Sequence, residues 1–188
     1  MEHLEIEFKI LLDRDTYLKM INDYNSDRVY KQTNYYLFHP LLKEKKYALR
    51  IREKDNNYEL TLKIPNELGL KEINIDIDEK IKDRIFNKED VDNKIFNLLK
   101  KDKIYLKDMN LDYSLTTIRH DIYLDEGVLS LDENHYLDCI DYELEFEVND
   151  YNLGLNRFYQ LIKPYNLDYK TNCLSKIKRL LDKINNQS

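Results

Sequence analysis

A chain of 188 residues is long enough for one domain, and its 42% hydrophobic residues can supply a core. The net charge of −6 argues against a general nucleic-acid-binding protein, which relies on Lys and Arg to neutralise phosphates. Two cysteines are too few for a disulfide framework or a Cys-based zinc site, and three glycines exclude a glycine-rich phosphate loop. No apolar leader or membrane-spanning stretch is visible, so we expect a single cytoplasmic domain over residues 1–188 that has no membrane partner.

Local patterns predict the elements in chain order, because strands alternate apolar and polar residues whereas helices repeat apolar residues every three to four positions. Strands are expected over residues 3–11, 29–38, 46–53, 58–64, 71–78, 116–124, 127–132 and 142–148. Helices are expected over residues 13–24, 88–101, 155–165 and 173–184. The short connections at residues 65–69 and 125–127 resemble hairpin turns, which indicates mostly antiparallel strands. Residues 102–113 carry no assignable pattern.

The polar faces of the predicted strands carry dense charges of both signs. The four amphipathic helices are expected to cover the apolar faces of the strands. The polar faces then look at solvent in an open sheet, or at one another in a closed barrel of about eight strands. Periodicity alone favours neither arrangement.

Acidic side chains form two rows on these faces, because residues i and i+2 of a strand lie about 6.5–7 Å apart on one side. The rows come from the segments EIEFK and YELEFEV and contain Glu5, Glu7, Glu143, Glu145 and Glu147. Carboxylates at this density repel one another unless cations lie between them. Mg²⁺ and Mn²⁺ prefer such oxygen ligands, so the rows indicate a divalent-metal site.

Basic side chains line other strands, at Lys9, Arg50, Arg52, Lys63 and Arg119. Arg binds phosphate oxygens bidentately and Lys supplies a compact charge, so acidic and basic rows together predict a polyphosphate site. The alternative is cross-strand ion pairing on a solvated face, worth about 0.2–1 kcal/mol per pair. The charges alone give the two interpretations similar weight.

Several segments, in order from residue 2 to about residue 180, resemble the CYTH superfamily of triphosphate tunnel metalloenzymes. EIEFK resembles its ExExK signature, ALRIRE its paired-arginine strand and YELTLKIP its lysine strand. GLKEIN supplies Glu72, TIRHDIYL supplies Arg119, and LSLDENHYLDCIDYELEFEV is similar to the late acidic segment of the family. The tail LSKIKR resembles its C-terminal Ser-Lys-x-x-Arg stretch. The chain looks most like the Firmicutes branch, which is related to thiamine triphosphatase and class IV adenylate cyclase.

The resemblance implies an α+β fold: a closed eight-stranded antiparallel β-barrel with a polar lumen and helices outside. It also implies Mg²⁺- or Mn²⁺-dependent hydrolysis of the terminal phosphate of a small triphosphate, either inorganic triphosphate, thiamine triphosphate or a nucleoside triphosphate. The implied metal ligands are Glu5, Glu7, Asp132, Glu143, Glu145 and Glu147. The implied phosphate-binding residues are Lys9, Arg50, Arg52, Lys63, Arg119, Lys176 and Arg179. Of these, Lys9, Arg52 and Arg119 are assigned to catalysis.

Two other functions stay open. Class IV adenylate cyclases share the architecture, although no motif for adenine or ribose is visible. A non-catalytic polyphosphate-binding module could keep the basic row without a full set of metal ligands. Two positions depart from the family pattern: Leu174 stands where many members have Lys, and NYYLFHP lacks an acidic residue often found there. Tyr35 and Tyr36 are adjacent, so only one of them can lie on the polar face.

Overall fold

The computed structural model describes the backbone of residues 2–67 and 69–187 and the side chains of residues 6–67 and 70–186. The chain divides into two compact units. Unit 1 comprises Met1–Leu4 and Gln32–Ser114, and unit 2 comprises Glu5–Lys31 and Leu115–Ser188. The expectation of a single domain stays a prediction. None of the described helices combines the length and the apolar character that crossing a membrane requires.

Eight strands and six α-helices make up the described chain. The strands are β1 Glu2–Leu12, β2 Arg28–Phe38, β3 Ala48–Lys54, β4 Asn57–Asn66, β5 Gly69–Ile77, β6 Asn110–Leu124, β7 Gly127–Tyr136 and β8 Cys139–Val148. The helices are α1 Arg14–Asp23, α2 Pro40–Glu44, α3 Glu79–Phe86, α4 Lys94–Lys101, α5 Tyr151–Ile162 and α6 Lys176–Gln187. Short 3₁₀ turns occupy Leu106–Asp108 and Lys163–Tyr165. This content confirms the α+β class.

Unit 1 contains an antiparallel meander in the order β2-β3-β4-β5. Its β3–β4 hairpin turns at Asp55 and Asn56, whose φ angles of 52° and 59° match the left-handed pair that a tight hairpin requires. One face of the meander is apolar and packs with α3 and α4. This core includes Leu49, Ile51, Leu60, Leu62, Ile73, Ile85, Ile95, Phe96 and Leu99. The other face carries the polar residues.

Unit 2 contains a second antiparallel meander, in the order β6-β7-β8-β1. Its apolar face packs with α1 and α5 in a core that includes Phe8, Tyr17, Met20, Leu129, Leu131, Leu144, Phe146, Phe158 and Leu161. Side-chain caps fix where these two helices begin. Asp13 accepts from the Thr16 N–H at 2.8 Å, and Asp150 accepts from the Leu153 N–H at 2.8 Å.

The predicted helix over residues 88–101 is wrong at its start. Lys88 has a φ angle of 59°, which is incompatible with a helix interior, and the Asn93 side chain caps the helix that begins at Lys94. A separate helix, α3, precedes it and was not predicted. The helix predicted over residues 155–165 begins earlier, at Tyr151, because Asp150 is its cap. The helix predicted over residues 173–184 begins later, at Lys176.

Strand predictions were closer to the structure, and all eight predicted strands are present. β6 starts at Asn110 and therefore includes part of the unassigned segment of residues 102–113. β7 extends to Tyr136, four residues beyond the predicted end at residue 132. Closure of the eight strands into one barrel stays a prediction.

We expect Gly154→Ala to destabilise the protein. Gly154 lies on the buried side of α5, and an added Cβ would come within 2.6 Å of Val148 Cγ2 and 2.8 Å of Val148 Cβ. Alanine is the better helix former, but Val148 is stiff at χ1 and cannot move aside. We expect a net loss of about 1–3 kcal/mol in the free energy of unfolding, measured by urea denaturation. Asn156→Ala, on the exposed side of the same helix, should not destabilise. Equal stability of Gly154→Ala and wild type would show that this contact is not tight.

Candidate functional site

The polar face of unit 2 holds a buried cluster of acids. Asp132 on β7 lies directly opposite Glu143 on β8, and Glu145 is two residues further along β8 on the same face. The side chains of Asp132 and Glu143 are fully buried, and that of Glu145 is 14% exposed. Like charges opposite one another in a sheet destabilise it, and burial adds a desolvation cost. These carboxylates therefore need cations within hydrogen-bond distance.

The ammonium of Lys176, the first residue of α6, lies among the three carboxylates. Its Nζ is 2.6 Å from Glu145 Oε1, 2.9 Å from Asp132 Oδ2 and 3.4 Å from Glu143 Oε1. Burial alone lowers the pKa of Lys176, but Asp132, Glu145 and Glu143 outweigh that effect and raise the pKa above its usual value. Lys176 thus places a positive charge at the centre of the cluster.

Two arginines bind the same acids from other elements. Arg119 on β6 forms a bidentate pair with Asp132, with Nε 2.7 Å from Oδ1 and Nη2 2.5 Å from Oδ2, and it also contacts Glu145. Arg179 on α6 donates to Asp141 Oδ2 at 2.8 Å and to the Leu174 carbonyl at 2.5 Å. Its Nη2 also contacts Glu143. The guanidinium of Arg179 therefore anchors α6 to β8.

Lys9 on β1 joins the cluster from the other side of β8, where it lies opposite Glu145 in the ladder. Its ammonium pairs with Glu7 and is 3.9 Å from Glu145 Oε1. Burial lowers the pKa of Lys9, yet Glu145 and Glu7 raise it above its usual value. For Glu145 itself burial raises the pKa, and Lys176, Arg119 and Lys9 together hold it well below its usual range.

The pKa of Glu143 is raised, in contrast to that of Glu145. Burial raises its pKa, and Glu145 raises it further, by more than Lys176 and Arg179 lower it. Together these effects raise the pKa of Glu143 to about 7. One of its oxygens, Oε1, is buried and accepts no hydrogen bond, although the Lys176 ammonium lies 3.4 Å away.

The polar face of unit 1 carries the other predicted basic residues. Ladder register places Arg50 between Tyr36 and Thr61, and Arg52 between Asn34 and Glu59. Arg52 Nε donates to Asn34 Oδ1 at 3.3 Å. Arg50 Nε is buried and has no hydrogen-bond partner, which suits it to an additional acceptor.

Lys63 and Glu72 form a buried ion pair in the same unit, with Nζ 2.5 Å from Oε1. Burial raises the pKa of Glu72, but Lys63 and Arg50 reverse this and lower it to about 2. Of the two adjacent tyrosines, Tyr36 lies on the polar face opposite Arg50. Tyr35 packs in the apolar core and donates its hydroxyl to Glu53 at 2.8 Å.

The predicted metal ligands have different surroundings. The side chain of Glu5 lies outside the described residues. Glu147 is exposed, opposite Glu7 in the ladder, whereas Asp132, Glu143 and Glu145 lie in the buried cluster. Across residues 6–67 and 70–186, no three Asp, Glu, His or Cys side chains are arranged to hold a metal ion. The reason is that the buried carboxylates are turned toward Lys176, Arg119 and Arg179. The donors are nevertheless of the kind that Mg²⁺ and Mn²⁺ prefer, and Glu143 Oε1 accepts no hydrogen bond.

A polar network beside the cluster was not predicted from the sequence. Asp141 accepts from Arg179, from the Tyr136 hydroxyl at 2.7 Å and from Asn134 Nδ2 at 3.0 Å. Thr117 in turn donates to Asn134 at 2.7 Å. The alternation of Glu143, Glu145 and Glu147 could have revealed Asp141, because it continues the same face by one step toward the N-terminus.

Comparison with known proteins gives consistent matches. The CYTH domain family matches residues 3–173. YjbK of Bacillus subtilis (strain 168), named a putative triphosphatase, is 30% identical over 170 residues, which cover 88% of each chain. A crystal structure from Bacillus halodurans, named a putative adenylate cyclase, superposes with a TM-score of 0.86 at 28% identity and covers 95% of this chain and 97% of that one.

A plant structure extends the similarity in fold. HpAC1 from Hippeastrum, named a putative adenylyl cyclase and described as having a dominant triphosphatase activity, has a TM-score of 0.73 at 20% identity, with 96% of both chains covered. The family match spans most of the chain and includes the ExExK strand and the buried acids of β7 and β8. The chain therefore belongs to the CYTH domain family.

Proposed function

We propose that this protein is a divalent-metal-dependent hydrolase that removes the terminal phosphate from a small triphosphate. The observation that carries the proposal is the buried cluster of unit 2, in which Lys9, Arg119 and Lys176 converge on Glu145. Cations held this closely in a desolvated place bind phosphate oxygens more strongly than exposed cations do. The cytoplasmic location and the closed tunnel remain part of this proposal.

Each basic residue has a proposed role toward the substrate. Lys9, Arg119 and Lys176 bind the terminal phosphates and stabilise charge on the transferred phosphoryl group. Arg50, Arg52 and Lys63, on the polar face of unit 1, are the other proposed phosphate-binding residues, and the Nε of Arg50, which makes no hydrogen bond, is suited to this. Arg179 was expected to bind phosphate, but its contacts to Asp141, Glu143 and Leu174 favour a structural role.

Acidic residues would hold the Mg²⁺ or Mn²⁺ ion. The candidates are Glu5, Glu7, Asp132, Glu143, Glu145 and Glu147. A bound divalent ion would lower the pKa of an attacking water and would neutralise phosphate charge.

The relatives support two reaction types. The name of YjbK supports triphosphate hydrolysis, and the name of the Bacillus halodurans protein supports a second candidate, adenylate cyclase. The cyclase needs a nucleoside triphosphate, whereas the hydrolase can act on inorganic triphosphate. The products therefore distinguish the two.

The direct test is incubation of the purified protein with Mg²⁺ or Mn²⁺ and inorganic triphosphate, thiamine triphosphate or ATP, followed by identification of products. We expect free phosphate from at least one of these compounds and no release in the presence of EDTA. Pyrophosphate and cyclic AMP from ATP would establish the cyclase instead. Tight binding of a triphosphate without turnover would indicate a binding module.

Glu7→Gln should raise the concentration of Mg²⁺ needed for half-maximal activity. The amide keeps the shape of the side chain but removes the negative charge that would attract the ion. Folding should be preserved, because the change relieves repulsion with Glu147, which lies opposite Glu7, and leaves Lys9 with Glu145 at 3.9 Å. Glu44→Gln, an exposed position at the end of α2, is the matched control. An unchanged Mg²⁺ requirement in Glu7→Gln would remove Glu7 from the metal site.

Arg52→Lys should lower kcat by about 10-fold or more, which corresponds to about 1.4 kcal/mol. Lysine keeps the charge but loses the planar fork that binds two phosphate oxygens. Thermal stability should change little. Arg84→Lys, on the exposed face of α3, provides the same substitution away from the site. A rise in KM alone would assign Arg52 to substrate binding without a role in the transition state. Wild-type kinetics with all three substrates would exclude it from the site.

A further inference from the structure

One edge of β1 is covered by two residues that precede α6. Asn172 Oδ1 accepts from the Lys9 N–H at 2.9 Å, and Asn172 Nδ2 donates to the Glu7 carbonyl at 2.9 Å. The Cys173 N–H donates to the Lys9 carbonyl at 3.1 Å. In an antiparallel ladder, alternate residues direct their main-chain groups to opposite sides. The Asn172 side chain therefore takes the place of a neighbouring strand on the side of β1 away from β8.

Asn172 is itself held in place by Tyr169. The Tyr169 hydroxyl donates to Asn172 Oδ1 at 2.9 Å. The Tyr169 ring packs edge-on against Phe8 and Phe158, with ring centroids 5.8 Å and 5.1 Å away. Phe8 lies between Glu7 and Lys9 and points to the apolar face. The same short segment thus fixes the Phe8 side chain and the backbone on both sides of it.

This arrangement fixes the two charged side chains that alternate with Phe8. Glu7 and Lys9 point to the polar face, pair with each other and lie opposite Glu147 and Glu145 on β8. Their directions follow from the local backbone, and a slip of one residue would turn both to the wrong face. Displacement of a reacting group by about 1 Å can cost about 100-fold in rate.

We propose that Asn172 is a positioning residue, which sets the backbone of β1 so that Glu7 faces the metal and Lys9 faces the phosphate chain. This inference rests on the proposed function. Asn172 is exposed, and exposed hydrogen bonds contribute little to global stability because water replaces them. Its loss should therefore appear in the local backbone and in the reaction, and much less in unfolding.

The test compares Asn172→Ala with Asn156→Ala, the same substitution at an exposed position of α5. Amide hydrogen exchange at Lys9 should become about 10-fold faster in Asn172→Ala, because the N–H loses its acceptor. With inorganic triphosphate and Mn²⁺, kcat should fall by about 10-fold or more. The melting temperature should stay within a few degrees of wild type. Tyr169→Phe keeps the ring but removes the hydroxyl. It should give a smaller increase in Lys9 exchange and a smaller fall in kcat than Asn172→Ala.

Asn172→Asp provides a second variant and decides the outcome if the alanine variant does not fold. It keeps an acceptor for the Lys9 N–H and replaces the donor to Glu7 by a second acceptor. Hydrogen exchange at the Lys9 amide should therefore stay slow. The affinity for Mn²⁺, measured by calorimetry, should differ from that of wild type, because the Glu7 carbonyl has lost its donor.

Three results would overturn the inference. The first is hydrogen exchange at the Lys9 amide of Asn172→Ala that is as slow as in wild type. The second is faster exchange in Asn172→Ala with unchanged kcat and KM. The third is a fall in kcat that Asn156→Ala shows to the same extent. An inactive wild-type protein would refute the proposed function instead. In that case weaker Mn²⁺ binding by Asn172→Ala would still support the positioning of Glu7, and equal binding would overturn it.

Discussion

Charge compensation inside unit 2 is the constraint on which the site depends. Asp132 and Glu143 are fully buried and lie opposite each other on the neighbouring strands β7 and β8. Removing one partner from a buried ion pair costs about 3–5 kcal/mol, because the remaining charge is left without compensation. The sheet can therefore carry these acids only while Arg119, Lys176 and Arg179 reach them.

The compensating cations come from separate parts of the chain. Lys9 belongs to the first strand, Arg119 to β6, and Lys176 and Arg179 to the last helix. The cluster thus links α6 to the sheet through charge, in addition to apolar packing. The same residues therefore serve both stability and the proposed function. A phosphate that binds Lys176 or Arg119 has to compete with the carboxylates that pair with these two residues.

Much of the fold could be predicted from the sequence because alternation is a direct record of which face of a strand is buried. Helix limits were harder to predict. The apolar spacing predicted a helix that starts at residue 88. The left-handed backbone at Lys88 and the cap at Asn93 make it start at Lys94 instead. For the site, strand alternation and family resemblance named acids and cations that the structure brings together in unit 2, but the sequence did not predict which of them would pair. The contact between Lys176 and Glu145 joins positions 31 residues apart, and no local pattern encodes it. The hydrogen bonds of Asn172 to β1 were not predictable for the same reason.

In the proposed function, the buried cluster of unit 2 binds a triphosphate together with a divalent ion. A crystal structure of the protein with Mn²⁺ and a non-hydrolysable triphosphate analogue tests it most directly, because anomalous scattering locates the manganese. We expect phosphate oxygens within hydrogen-bond distance of Lys9 and Arg119, and manganese bound by carboxylates that include Glu7. An analogue bound at another surface, with Lys176 still paired to Asp132 and Glu145 and no manganese beside them, would contradict it.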